Sequence, residues 1–147
     1  MKIVYSYYVM DILHKGHILM MKNAKALAGE GGKLIVGVLT DKAVMEKKPQ
    51  PILSFNERMQ IAEAIKYIDL VVPQDTYSPI PNVKGIKPDI LMESTSHSDE
   101  AIKEAETVLE SWGGKVICLP YYPDISSTAI KKKIKKTGGE NDKKDIT

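Results

Sequence analysis

Short apolar segments rich in β-branched residues recur along the chain and alternate with segments of helical or turn character. Five of these segments predict strands, at residues 2–8, 33–39, 70–73, 89–92 and 115–119. Each is nearly continuous in apolar character, which is typical of parallel strands covered on both faces by crossover helices. The pattern therefore predicts a parallel sheet with helices on both sides.

The segments between the strands predict helices whose ends are marked by capping residues and glycines. Besides a short helix between the third and fourth strands, the predicted helices lie at residues 15–28, 54–67 and 98–112 and from about residue 126 onward. The first ends at a glycine-rich segment, residues 29–32, where glycine tolerates the left-handed conformation that ends helices. The second begins with Ser54 and Glu57 in the spacing of a capping box, which indicates a structural role for Ser54.

This order of elements predicts an α/β fold. We expect a single-domain, Rossmann-like, doubly wound parallel sheet of about five strands flanked by helices over residues 1–137, with residues 138–147 as a disordered tail. In such sheets, ligands bind beyond the carboxyl ends of the strands at the point where the strand order reverses. A crevice is therefore expected among residues 8–17, 40–48, 93–99 and 120–128.

Composition narrows the class of protein. Lys plus Arg number 21 against 19 Asp plus Glu, and a net charge of +2 favours neither a nucleic-acid partner nor a membrane partner. The basic run from Lys131 to Lys144 is typical of a solvated face. The single cysteine, Cys118, excludes an internal disulfide, and no membrane-length apolar segment is present, so we expect a cytoplasmic protein.

Two of the three histidines flank a glycine in the segment His14-Lys15-Gly16-His17, between the first predicted strand and the first predicted helix. At a helix N-terminus, two imidazoles and the free backbone amides can face a phosphate chain, and Gly16 removes a side chain that would block close approach. The alternative is that His14 and His17 cap the helix or fill gaps in the core. The first interpretation predicts a site that stabilises charge developing on phosphate oxygens.

Three hydroxyl residues, Ser126, Ser127 and Thr128, open the last predicted helix and are followed by Lys131 and its neighbours. Hydroxyls and exposed amides at a helix start form an anion-binding site. The alternative is an ordinary N-cap at Ser126, which explains one hydroxyl but not three.

The two segments together resemble the cytidylyltransferase-like nucleotidyltransferase superfamily, whose members carry H-x-G-H after the first strand and I-S-[ST]-T before the last helix. The resemblance covers nearly the whole chain and is strongest to phosphonate and glycerol-3-phosphate cytidylyltransferases. The segments that carry this finer resemblance are residues 39–42, 51–58, 68–69, 72–76 and 87–89.

The resemblance implies a reaction in which CTP and a small phosphonate or phosphomonoester give a CMP-linked product and pyrophosphate. The acceptor oxygen is anionic at neutral pH, so a direct in-line displacement needs no general base. Mg²⁺ or another divalent cation as cofactor and a homodimer are also implied.

The resemblance also assigns roles to individual residues. His14 and His17 would contact the triphosphate, Lys48 or else Lys47 would neutralise phosphate, and Lys42 is a further candidate. The expected catalytic residues are His14, His17, Lys48 and Arg58. The remaining expected nucleotide-binding residues are Tyr8, Val9, Met10, Asp11, Gly16, Ser126, Ser127 and Thr128, and Arg58, Ser127 and Thr128 would hold the outer phosphate oxygens. Asp11 would orient the histidine loop or bind Mg²⁺; alternatively, it is only an acid that leads a helix.

The sequence departs from the family pattern at one predicted crevice. The G-T-F-D segment is replaced by Tyr8-Val9-Met10-Asp11, the G-D-D-W segment reads Glu93-Ser94-Thr95-Ser96-His97, and the arginine before I-S-[ST]-T is absent. We expect an acceptor site formed by Tyr7, Glu93, Ser94, His97 and Tyr121, although His97 can instead be a loop or capping residue and the tyrosines can serve packing alone. The clustering favours a changed acceptor over lost activity.

Two alternatives stay open. An adenylyltransferase that uses ATP shares both motifs, which indicate triphosphate chemistry without naming the base. A nucleotide-binding protein without turnover is suggested by the missing acids of the G-D-D-W segment.

Overall fold

The computed structural model describes residues 1–94, 97–120, 128 and 130–137. Its strands are β1 (Ile3–Tyr8), β2 (Lys33–Leu39), β3 (Leu70–Gln74), β4 (Ile90–Ser94) and β5 (Lys115–Leu119). All neighbouring pairs are parallel, in the order β3-β2-β1-β4-β5. The predicted α/β fold with a five-stranded parallel sheet is confirmed for the described residues.

Five helices with defined bounds accompany the strands: α1 (Lys15–Ala28), α2 (Asp41–Val44), α3 (Phe55–Glu63), α4 (Ile80–Ile86) and α5 (Asp99–Glu110). Residues 130–137 are also helical, whereas the predicted start of that helix near Ser126 and the predicted tail lie outside the described residues. None of the described helices has both the length and the apolar character needed to cross a bilayer.

Two helical details differ from the prediction. The short helix α2 was not predicted; it is only four residues long, too short for a periodic pattern, and begins where the Thr40 hydroxyl accepts a hydrogen bond from the Ala43 amide at 3.2 Å. The helix α3 ends at Glu63 rather than near residue 67. Beyond it the Ile65 and Ile68 amides bond three residues back, in tight turns that carry both side chains to the core.

The sheet is covered on both faces because side chains alternate along each strand. On β1, Val4 packs with Met21 and other residues of α1, while Tyr5 packs on the opposite face with Leu109 of α5. Every residue of β2 after Lys33 is buried, which explains its continuous apolar sequence.

A buried polar network fixes the end of β3. The Tyr5 hydroxyl donates to Gln74 Oε1 at 2.5 Å and accepts from Asn82 Nδ2 at 2.9 Å, and Gln74 Nε2 donates to the Tyr77 carbonyl at 3.3 Å. Gly37 on β2 leaves the room for the Tyr5 hydroxyl, since a Cβ there would lie 2.0 Å from it. The network thus holds the chain that leads to Tyr77.

We predict that Gly37→Ala lowers the free energy of unfolding by about 1–3 kcal/mol, because the added methyl group displaces the Tyr5 hydroxyl from its buried partners. Urea unfolding followed by circular dichroism measures the change. Gly85→Ala is the matched control, since a Cβ at that position in α4 meets no atom within 4 Å. The control is expected to change stability by about 1 kcal/mol or less, in the stabilising direction; equal effects of the two substitutions would contradict the packing argument.

Candidate functional site

A cleft of about 780 Å³ lies at the carboxyl ends of β1 and β4. These strands are neighbours in the middle of the sheet, where the chain, having built outward from β1 to β3, crosses to β4 on the other side. Parallel sheets bind ligands at this reversal of strand order. The expected site residues that line the cleft are Tyr7, Tyr8, Val9, Asp11, His14, Gly16, His17, Lys48, Glu93, Ser94, His97 and Thr128.

The two histidines of the first loop cap α1 reciprocally. Nδ1 of His14 accepts a hydrogen bond from the Gly16 amide at 3.0 Å, and Nδ1 of His17 accepts one from the His14 amide at 3.3 Å. The two rings lie 4.0 Å apart between centroids. Capping and cleft lining, which the sequence presented as alternatives, therefore occur together.

These contacts define which ring nitrogen carries the proton. A neutral imidazole has one donor and one acceptor nitrogen, and Nδ1 is the acceptor in both rings, so each proton resides on Nε2. Burial lowers the pKa of His14, and burial together with the nearby His14 lowers the pKa of His17 to about 4. Nε2 of His14 is buried and, within the described part of the chain, has no hydrogen-bond partner. The loop thus offers neutral N–H donors.

The carboxylate of Asp11 is a junction between three parts of the chain. It is 1% exposed and accepts hydrogen bonds from the Ile52 amide at 3.0 Å and the Leu53 amide at 2.8 Å. Lys131, from the helical segment 130–137, forms an ion pair with it. Burial alone would raise the pKa of Asp11, but the two amides and Lys131 lower it. The contacts give Asp11 a positioning role at the mouth of the cleft.

Arg58 differs from its expected role as a phosphate ligand. Its side chain is fully buried, and its guanidinium donates to the carbonyl oxygens of Val9 and Leu39 and to Asp41 Oδ1, each at 2.6 Å. It does not line the cleft. Because α3 presents Arg58 to the carboxyl ends of β1 and β2, the residue holds together the chain segments that follow these strands.

The position of Met10 also differs from the prediction. It was expected beside the nucleotide, but its backbone takes a left-handed conformation with φ 63°, and its side chain is fully buried in the core. The turn that brings Asp11 to the cleft points Met10 inward.

The lysines expected to bind phosphate differ in their position relative to the cleft. Lys48 lines the cleft, whereas the Lys47 ammonium lies 5.1 Å from the ring centroid of Tyr77 and Lys42 is exposed away from the cleft. Three lysines of the last helical segment, Lys131, Lys132 and Lys135, line the cleft with Thr128. Lys132 and Lys135 are exposed, as expected of a solvated basic face, but all three residues also border the cleft, and Lys131 is partly buried.

A polar cluster lies on the wall formed by β1 and β4. The Tyr7 hydroxyl is 2.8 and 2.9 Å from the two carboxylate oxygens of Glu93, to which it donates, and Nε2 of His97 is 3.2 Å from Glu93 Oε2. Burial raises the pKa of Glu93 to about 7, although the Tyr7 hydrogen bond opposes this. The pKa of His97 is lowered by burial and by Lys48 and Lys47.

Some site residues were missed or cannot be placed. The loop of residues 49–52 and Tyr77 line the cleft without having been predicted. Their only sequence signal was the proline pair Pro49 and Pro51 beside Lys48. The expected residues Tyr121, Ser126 and Ser127 lie outside the described residues.

The expected divalent cation has no cage of protein ligands in the described ranges, where no group of three or more His, Cys, Asp or Glu side chains converges. The Asp11 carboxylate is already bound by two amides and Lys131. Mg²⁺ commonly binds through substrate phosphates and retains several waters. The residues present are compatible with an ion that would be held mainly by the phosphates of a substrate.

Comparisons with known proteins place the chain among enzymes of nucleotide chemistry. A family model described as cytidylyltransferase-like matches residues 9–133. The chain is 34% identical to a FAD synthase of Korarchaeum cryptofilum over 84% of its own length and 85% of that protein. It is 38% identical to a bifunctional protein HldE of Marinomonas sp., covering 88% of the chain and 27% of that protein. The chain spans about a quarter of the length of the HldE proteins it matches.

A crystal structure of the lipopolysaccharide core biosynthesis protein from Thermoplasma volcanium has a similar fold. The TM-score is 0.67 at 28% identity, over 82% of this chain and 95% of that protein. The similarity extends over most of both molecules, so the two proteins share the fold described here.

The low pKa of His17 predicts a specific acid sensitivity. Between the ordinary value of 6.5 and about 4 the unfolded chain binds this proton and the folded chain does not, so stability falls as the pH falls through this window. Glutamine is a natural capping-box residue at this position, so His17→Gln removes the titration while keeping a cap. Between pH 7 and 4.5, we expect the free energy of unfolding, measured with urea, to fall by roughly 2 kcal/mol less in the variant than in the parent. Equal losses in the two proteins would contradict the assignment.

Proposed function

The chain belongs to the cytidylyltransferase-like family of nucleotidyltransferases, and from this premise we propose that it transfers the nucleotidyl group of ATP to an anionic oxygen of a small phosphorylated acceptor, releasing pyrophosphate. The observation that carries the proposal is the pair of imidazole donors at the start of α1. They line the same cleft as Thr128 and the lysines of the last helical segment. These groups suit a polyphosphate bound between them.

The reaction is an in-line displacement. A bond forms between the acceptor oxygen and the α-phosphorus, while the bond from that phosphorus to the bridging oxygen breaks and its electron pair leaves with pyrophosphate. The acceptor oxygen is already anionic, so no base is required. A divalent cation, if bound to the phosphates, would neutralise part of their charge.

The residues of the chain supply donors where charge develops. The Nε2–H groups of His14 and His17 are fixed by the hydrogen bonds at Nδ1, so they need no reorganisation when the transition state forms. Lys48 and the lysines of the last helical segment add positive charge. Asp11 and Arg58 act indirectly, by holding the loops that carry these groups.

The choice of ATP rests on the relative that matches over most of both lengths. A FAD synthase makes a product that contains an adenylate unit, and it aligns with 84% of this chain. CTP with a phosphonate or phosphomonoester is the second candidate, favoured by the description of the family and by the resemblance of residues 51–58. The relatives named above are not phosphonate enzymes, so we place this candidate second.

Pyrophosphate release with each of the four nucleoside triphosphates tests the proposal. The acceptor panel contains phosphomonoesters and phosphonates, and the α,β-methylene analogue of each active nucleotide, which cannot release pyrophosphate, is the control. We expect release with ATP that depends on an acceptor. Release with CTP alone would contradict ATP as the nucleotide donor but would still support nucleotidyl transfer. Triphosphate binding by calorimetry with no release across the panel would contradict transfer and favour a binding protein without turnover.

A further inference from the structure

The walls of the cleft differ in charge. We call the described lysines that line the cleft, together with the histidine pair at the start of α1, the basic wall. These lysines are Lys48, Lys131, Lys132 and Lys135. The described carboxylates that line the cleft are Asp11 and Glu93. Asp11 is bound by two backbone amides and Lys131, so Glu93 alone presents a carboxylate with no ammonium ion paired to it among the described residues.

Among the described residues, Glu93 has few hydrogen-bond donors. Its side chain is 5% exposed, and within that part of the chain its two oxygens share one hydroxyl proton from Tyr7 and have one further neighbour in His97 Nε2. A carboxylate has about four lone-pair sites. A buried carboxylate is costly unless donors satisfy it, so a ligand that brings donors to this wall is stabilised there.

The surroundings select the kind of donor. Glu93, with its pKa raised to about 7 by burial, is ionised above that pH, and in this form it repels a phosphate, which fits the basic wall better. An ammonium group is also repelled by Lys48, which lines the same cleft, and by Lys47, whose ammonium lies 5.1 Å from the ring centroid of the cleft residue Tyr77. A hydroxyl group donates without carrying a charge, and several hydroxyls can meet Glu93 and His97 together.

We propose that Tyr7, Glu93 and His97 form the acceptor subsite, and that Glu93 selects phosphate esters whose carbon chain carries hydroxyl groups. The inference rests on the proposed function, because it assigns the basic wall to the polyphosphate and to the reacting phosphate of the acceptor. Glu93 accepts a hydrogen bond from an acceptor hydroxyl. Tyr7 is a positioning residue that fixes the carboxylate through its bonds of 2.8 and 2.9 Å.

Calorimetric binding of matched phosphate esters tests the subsite. The protein is first saturated with α,β-methylene ATP, or with the CTP analogue if CTP proves to be the donor. The probes are glycerol 3-phosphate against propyl phosphate and ribitol 5-phosphate against pentyl phosphate, with phosphoethanolamine as the ammonium-bearing probe. We expect at least one polyol ester to bind about tenfold or more tightly than its deoxygenated partner, the effect of one hydrogen bond to a charged group.

The double variant Tyr7→Phe/Glu93→Met provides the comparison. It replaces Tyr7 and Glu93 with apolar groups of similar shape, so neither leaves the other unsatisfied, and the His97 side chain, which loses both neighbours, is 28% exposed and can bond to water; the variant is therefore expected to fold. We expect it to bind the methylene nucleotide as the parent does and to lose the preference for polyol esters. The single variant Glu93→Gln, which keeps the shape and removes the charge, should show a reduced preference.

The outcomes separate this inference from the function on which it rests. Failure of the parent to bind any triphosphate would contradict the proposed function. Three results, each with normal nucleotide binding, would overturn the inference alone. In the first, the parent shows no preference for polyol esters; in the second, the double variant shows the same preference as the parent. In the third, phosphoethanolamine binds more tightly than the polyol esters.

Discussion

The reciprocal hydrogen bonds between His14 and His17 are the constraint on which the site depends. In each ring, Nδ1 accepts a hydrogen bond from a backbone amide of the same loop, at 3.0 Å for His14 and 3.3 Å for His17. This bond fixes both the orientation of the ring and the position of its proton. Burial keeps both imidazoles neutral by lowering their pKa values. The same bonds that begin α1 therefore orient N–H donors on two rings that line the cleft, so fold and chemistry share one set of contacts.

Buried charged residues hold the other walls of the cleft next to this loop. Arg58 joins the chain after β1 to the chain after β2, and Asp11 joins the first loop to the segment before α3 and to Lys131. Removing one partner of such a buried network leaves the others unsatisfied, which is more costly than the bond itself. Through these contacts Asp11 and Arg58 hold the loops of the site in place.

Local pattern explains how much of the molecule could be predicted from its sequence. The strand segments and the bounds of α1 follow from apolar runs and glycines, and the position of His14 and His17 at the crevice follows from the order of elements. The roles of Arg58, Met10 and Lys131 could not be predicted in this way. Each depends on contacts between residues far apart in the chain, such as the pairing of Lys131 with Asp11, which no local periodicity encodes.

The most direct test of the account separates capping from ligand binding at His14. Asparagine is among the best N-cap residues, so His14→Asn keeps the acceptor for the Gly16 amide and removes the Nε2–H donor. With exposed Lys15→Ala as the control, urea unfolding and calorimetric titration with α,β-methylene ATP are measured on each protein. The account predicts an unfolding free energy within about 0.5 kcal/mol of the parent and an affinity about 10- to 100-fold weaker, the loss of one hydrogen bond to a charged phosphate. An equally stable His14→Asn variant that binds the nucleotide as tightly as the parent would contradict it.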